Sequence, residues 1–135
     1  MKIFIIPGDP TPLARPRFYK KKIYDSQKNI KLIAGLHVQQ QQNDDPLLEG
    51  ALHLDITFFM KAPESISAKR RALLFATAHI FKPDLSNMIK FYEDICSNVV
   101  YHDDCIIAKI SARKIYDEIP RTEFTLRVIN EKEKS

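Results

Sequence analysis

From Ala51 onward, Leu52, Leu54, Ile56, Phe58 and Met60 alternate with His53, Asp55 and Thr57, and Ala62-Pro63 ends the run. A two-residue period of this kind predicts a strand buried on one face. A second signal has a different period. Leu85, Met88, Ile89, Tyr92, Ile95, Cys96 and Val99 recur at spacings of three and four, which predicts an amphipathic helix opening just after Pro83. Two further strands are expected at Ile106 to Tyr116 and Thr122 to Ile129. They are joined by Asp117-Glu118-Ile119-Pro120, and the second alternates through Phe124, Leu126 and Val128; together they read as a terminal hairpin.

The N-terminal half is more broken. Met1 to Ile6 reads as a buried strand closed by Pro7, and residues 7 to 16 hold four prolines and a Gly-Asp. Such a stretch sustains neither a helix nor a central strand, so a shaped loop is expected there. Phe18 to Tyr24 sets aromatics around Lys20-Lys21-Lys22 and suits a short hairpin with a basic tip. Ser26 can cap a helix running to about Gln42, with Ile30, Ile33, Ala34, His37 and Val38 on one side. A helix is also expected at Ser67 to Leu74, and a short strand at Thr77 to Phe81. Mixed elements in this order predict an α+β fold, with helices on one face of a mixed, largely antiparallel sheet. No repeat or linker divides the chain, and 135 residues with 44% hydrophobic side chains suit one compact domain spanning residues 1–135.

Composition adds a bias. Lys and Arg exceed Asp and Glu by 21 to 17, for a net charge of +4, which is compatible with a polyanionic partner. The distribution says more than the total: Arg15, Arg17, Lys20, Lys21 and Lys22 cluster near the N-terminus, while acidic residues gather in the second half. These basic groups can grip phosphates, with Phe18 and Tyr19 available to stack on unpaired bases; a solvated hairpin is the plainer alternative. Two cysteines, Cys96 and Cys105, are too few to staple a domain of this size, and a reducing cytoplasmic setting is expected. The opening apolar run is far too short for a membrane span.

Candidate chemistry falls at the ends of elements, where catalytic groups are often mounted. Asp84 opens the strong helix, and Asp103-Asp104 follows its end. Where these acids meet at one edge of the sheet they can hold Mg²⁺ or Mn²⁺, which prefer oxygen ligands and activate water toward phosphodiesters. In an extended segment Asp103 and Asp104 point opposite ways, which favours Asp104 as the ligand and leaves Asp103 second. Lys90 shares the polar helix face with Ser86 and Asn87, where an ammonium can hold a phosphate. Structural alternatives stand beside these: Asp84 as a helix cap, Asp103-Asp104 as a solvated turn, and Lys90 paired with Asp94. Cys96, His102 and Cys105 match no common zinc spacing.

The block Lys82-Pro83-Asp84-Leu85-Ser86-Asn87-Met88-Ile89-Lys90, then Asp94, then Val100-Tyr101-His102-Asp103-Asp104, resembles the RusA-like family of Holliday junction resolvases, the crossover junction endodeoxyribonucleases. The opening Ile6-Pro7-Gly8-Asp9-Pro10, with Arg15-Pro16-Arg17-Phe18 and Tyr24-Asp25, is similar to the family's N-terminal segment, so the likeness covers most of the chain. It implies a prokaryotic or phage-encoded homodimer that nicks four-way DNA junctions symmetrically with Mg²⁺ or Mn²⁺ and no small-molecule cofactor. By the same resemblance Asp84 and Asp104 match metal-site aspartates, Lys90 matches the functionally important lysine, and Asp103 and Asp94 match further acidic positions. Arg15, Arg17, Lys20, Lys21, Lys22, Lys82 and Lys90 are the expected DNA contacts.

Ser86 departs from the family pattern, which places an aspartate two residues after the first. A neutral hydroxyl is a poorer ligand than a carboxylate, so an ion would be held more weakly. An alternative therefore accompanies the nuclease expectation: a junction-binding protein with weak or lost cleavage. A plain interaction domain is the third reading, and it predicts neither metal binding nor a preference for branched DNA.

Overall fold

The strand with the strongest apolar alternation takes an inner place in the sheet. In the computed structural model, which describes residues 2–14, 17–20 and 22–129, the chain runs β1 (Ile3–Pro7), β2 (Arg17–Tyr19), β3 (Lys22–Tyr24), α1 (Lys28–Gln42), β4 (Leu52–Lys61), α2 (Ala68–Leu74) and α3 (Leu85–Cys96). A single 3-10 turn (Asp104–Ile106), β5 (Ile107–Asp117) and β6 (Arg121–Val128) follow. One sheet has the order β1-β6-β4-β5, and β2 with β3 forms a separate ribbon. β6 is antiparallel to both β1 and β4, whereas β4 and β5 are parallel. The α+β architecture and the mixed, mainly antiparallel sheet thus match the expectation from the sequence.

The terminal hairpin does not form. β5 and β6 are consecutive, yet β4 lies between them and pairs with both. Burial explains the insertion: Leu52, Leu54, Ile56 and Phe58 are all 3% exposed or less, so β4 is the strand with most to gain from neighbours on both sides. β5 is the more polar strand and takes an edge. The short connection after Asp117 therefore steps across the end of β4 instead of turning back on β5.

The core lies between one sheet face and two helices. Phe4, Ile6, Leu54, Ile56, Phe58, Phe124 and Leu126 from the strands meet Ala34 and Val38 of α1 and Met88, Phe91, Tyr92 and Ile95 of α3. α1 buries only part of the face that its apolar spacing predicts: Ala34 and Val38 are buried, joined by Gln42, while Ile30 and Ile33 are 49% and 60% exposed. Glutamine hydrogen bonds set the rotation. The Gln41 amide closes the free edge of β1 by bonding both the N–H and the C=O of Ile5 at 2.7 Å, and Gln42 donates to the carbonyls of Asp45 and Pro46. Turning Ile33 inward would break these bonds and bury unsatisfied polar groups, which costs more than one aliphatic contact returns.

Two local expectations are also revised. Gln27, not Ser26, is the N-cap residue of α1, and the Asp25 carboxylate accepts its N–H at 2.8 Å. Thr77 to Phe81 is not a strand and makes only the single bridge Ala78 to Ile115. The expected β2–β3 hairpin and the helix at Ala68–Leu74, capped by Ser67, are present. No described helix is long and apolar enough to cross a membrane.

The proline-rich loop after β1 is pinned to both helices. The Thr11 N–H donates to the Tyr92 hydroxyl at 3.1 Å, and the Leu13 N–H to the Asn87 carbonyl at 3.0 Å. Gln27, only 7% exposed, donates to the Pro12 carbonyl and accepts the Ala14 N–H, each at 2.8 Å. Replacing it leaves two main-chain groups without partners. Gln27→Ala is expected to lower the unfolding free energy by about 1–3 kcal/mol, measured by urea denaturation, and an unchanged midpoint would show that the loop is held by packing alone.

Candidate active site

The C-terminal end of α3 and the chain that leaves it are tied together before the acidic pair begins. Tyr101, 1% exposed, donates its hydroxyl to the Glu93 carbonyl at 2.6 Å. Its own carbonyl accepts the N–H of Asn98 at 2.7 Å. These bonds fix the start of His102-Asp103-Asp104. The backbone then turns, so the two aspartates are not simply on opposite sides of an extended strand. Asp103 caps the 3-10 turn, accepting the Cys105 N–H at 3.0 Å, and Asp104 enters the turn.

Asp104 lines a depression of about 280 Å³ together with Lys90, Glu93 and Asp94 of α3, Asp25 and Lys31 at the start of α1, and Leu13 and Ala14 of the proline-rich loop. The charges there interact strongly. Partial burial, a hydrogen bond shared with Asp103, and the negative charges of Asp103 and Asp94 lift the Asp104 carboxyl above its ordinary range. The Cys105 N–H and the bond with Asp104 hold Asp103 below its own. Burial and then Asp104 push Glu93 up, against the opposing pull of Lys90. Lys31 is the counterweight, with its ammonium 2.6 Å from Asp25 and 3.1 Å from Asp94. Asp94 is therefore paired across the site with Lys31, not along the helix with Lys90 as its spacing allowed.

Asp84 borders a second depression, lined also by Pro10, Pro12, Lys82, Pro83 and Asn87. It holds the N-cap position of α3, but its carboxylate makes no capping bond. Its partner is the Lys82 ammonium at 3.1 Å, with the two side chains 86% and 60% exposed, an arrangement that stabilises little. The carboxylate is thus free of structural duty. Ser86 is exposed on the same helix. Asp84 and Asp104 do not line the same depression, and among the described residues no three His, Cys, Asp or Glu side chains form a ready metal cluster. The donors nevertheless fit a hard divalent cation: they are carboxylate oxygens, and partial burial together with their acidic neighbours raises Asp104 and Glu93, a charge penalty such an ion would relieve.

Of the expected DNA contacts, Lys20 forms the turn of the β2–β3 ribbon with Lys22 beside it, both exposed, and Arg17 opens β2. Arg15 and Lys21 lie outside the described residues. Glu93, Lys31 and Asp25 were not singled out as site residues from the sequence. Glu93 could have been, since it follows Lys90 by three and so shares its helix face. Lys31 and Asp25 carried no such signal, because only the packing of α1 against α3 brings them in.

A depression that gathers Glu93, Asp94 and Asp104 with Lys90 can take a divalent cation on its carboxylates and a phosphate on its ammonium. Comparison with known proteins agrees. The family described as Endodeoxyribonuclease RusA matches residues 7–127, and the chain belongs to this family of RusA-like Holliday junction resolvases. A relative, the uncharacterized protein YqaN of Bacillus subtilis (strain 168), is 25% identical over 137 residues, covering 94% of this chain and 96% of that one.

The raised Asp104 carboxyl has a consequence for stability. A group whose folded pKa exceeds its unfolded value is least favourable when ionised, so its contribution turns against the fold as pH rises through that range. Asp104→Asn is expected to melt at or above the wild-type temperature at neutral pH without metal, with the gap closing on acidification. A variant that melts clearly lower at neutral pH would mean that the ionised carboxylate stabilises the fold.

Proposed function

We propose that this protein is a divalent-metal-dependent endodeoxyribonuclease that resolves four-way DNA junctions by symmetric nicking. The observation that carries the reading is the Asp104 carboxylate, in a depression that it shares with Lys90, Glu93 and Asp94 and raised there by partial burial and then by its acidic neighbours, on a chain of the endodeoxyribonuclease family. Asp84 and Asp104 hold the ion, and Asp103, half committed to its turn, is the further ligand. Because the two principal acids line different depressions, waters and phosphate oxygens would have to supply the remaining ligands, as is usual for Mg²⁺. When bound, Mg²⁺ or Mn²⁺ would supply an activated water for attack on a phosphodiester.

The protein's own groups bind and orient the strand. Lys90 contacts the scissile phosphate and offsets the charge that develops on it. Lys82, beside Asp84, takes a neighbouring phosphate. Arg15, Arg17, Lys20, Lys21 and Lys22 grip a junction arm, and since each such contact releases counterions, affinity falls steeply with salt. Alanine at Asp84 or at Asp104 is expected to abolish nicking of a labelled synthetic junction while leaving the affinity for it within a few-fold. Retained cleavage in either variant would remove that residue from the metal site.

Ser86 favours a second reading. It is exposed where a carboxylate would add a third acid to the site, which suits a junction-binding protein with little cleavage. Ser86→Asp separates the two. For a nuclease, wild type already makes paired symmetric nicks, and the variant makes them at lower Mg²⁺; for a binding protein, only the variant cuts.

The partner for a two-fold junction is a second copy of this chain, which supplies the second nick. The outward side of α1 supports this, since Leu32, Ile33 and Leu36 are 62%, 60% and 48% exposed, an aliphatic cluster at helical spacing. Light scattering is expected to give twice the chain mass for wild type and the single mass for Leu32→Glu with Leu36→Glu. A wild-type monomer would overturn the dimer, and a dimer unaffected by the substitutions would move its interface elsewhere.

A further inference from the structure

The register of β5 against β4 puts Ile110, Ala112, Lys114 and Tyr116 beside Leu54, Ile56, Phe58 and Met60, on the sheet face that bears the core, with Lys114 opposite Phe58. Phe58 is fully buried and Tyr116 is 5% exposed. An ammonium in that row breaks the apolar alternation, and such a break calls for a compensating partner. The partners are main-chain carbonyls. Lys114 Nζ donates to the oxygen of Phe81 and, at 2.8 Å, to that of Pro83.

Both carbonyls belong to the segment that leads directly into Asp84. The side chains of that segment do little to hold it, since Ile80, Phe81 and Lys82 are 80%, 64% and 86% exposed. Its other ties to β5 lie earlier. The Ala78 to Ile115 bridge, the His79 N–H on the Lys114 carbonyl at 3.0 Å, and the His79 ring 4.9 Å from that of Tyr116 all fix residues 78 and 79. Lys114 reaches beyond them to residues 81 and 83.

We propose that Lys114 is a positioning residue for cleavage: by holding the Phe81 and Pro83 carbonyls, its ammonium sets where Asp84 presents its carboxylate. The inference rests on the reading of Asp84 as a metal-holding residue. Lys114 acts through the main chain and touches neither DNA nor metal, so its loss shows in the chemical step and the metal requirement, not in junction affinity.

Lys114→Met keeps an aliphatic stem against Phe58 and removes both hydrogen bonds. Its kcat for junction nicking is expected to fall ~10-fold or more, as small misplacements of catalytic groups do. Half-saturating Mg²⁺ rises, the junction Kd stays near wild type, and Lys114→Arg recovers most of the rate. A folded Lys114→Met protein with wild-type kcat and Mg²⁺ midpoint overturns the proposal, as does one whose only defect is junction affinity. Should the methionine variant not fold, Lys114→Gln, which retains a single donor group, is read by the same criteria. Asp84→Asn, run alongside, separates the two levels. If it cleaves normally, the reading of Asp84 falls and this inference with it; if it is inactive while Lys114→Met is unaffected, only the role of Lys114 falls.

Discussion

A proline-rich segment cannot satisfy its main chain within a helix or a sheet, and the arrangement of this protein's site follows from where residues 8–14 find their partners. The loop takes them from the Tyr92 hydroxyl, the Asn87 carbonyl and the buried Gln27 amide. Those groups sit on α3 and at the start of α1, so one loop braces α3 and the beginning of α1 against each other. It also runs along both depressions, with Pro10 and Pro12 in one and Leu13 and Ala14 in the other. The beginning of α1 is thereby tied to the wall that carries Lys90 and Glu93.

The electrostatics of that wall oppose stability. Glu93, Asp94, Asp103 and Asp104 gather within one short stretch of surface, and two of them are driven toward their protonated forms. The fold limits the repulsion in two ways. Asp103 is held in its charged form by the Cys105 N–H, and Asp94 is paired with the Lys31 ammonium at 3.1 Å. Lys90 only partly offsets the rise at Glu93, and Asp104 and Glu93 are the groups for which a cation would make the largest difference. Asp84, at the N-cap of α3, lines a different depression from that crowding and pairs with the exposed Lys82.

Much of the architecture was legible because its causes are local. The alternation of Leu52 to Met60 and the three-and-four spacing of Leu85 to Val99 each specify an element that a single buried face requires, and β4 and α3 follow them closely. The ribbon of Arg17 to Tyr24 was readable for a similar reason, since its turn lies between two short extended runs. Where several elements compete for one place, local reading failed. The rotation of α1 was decided by Gln41 and Gln42 reaching groups on β1 and on the chain after the helix, and the placing of β4 between β5 and β6 by a comparison of burial among strands far apart in sequence.

The same division runs through the site. The sequence by itself determined the α+β class, the two main elements, the family and the acidic and basic residues worth attention, because each of these is written in spacing or in a contiguous motif. Only the tertiary structure decided that Asp104 turns into the depression with Lys90 while Asp103 caps the turn with one oxygen, that Asp94 answers to Lys31, and that Asp84 stands in a second depression with its approach held by Lys114 from another strand. The physical reason is range. Periodicity and capping act over a few residues, whereas charge pairing and hydrogen bonding between side chains depend on distances that folding alone makes short.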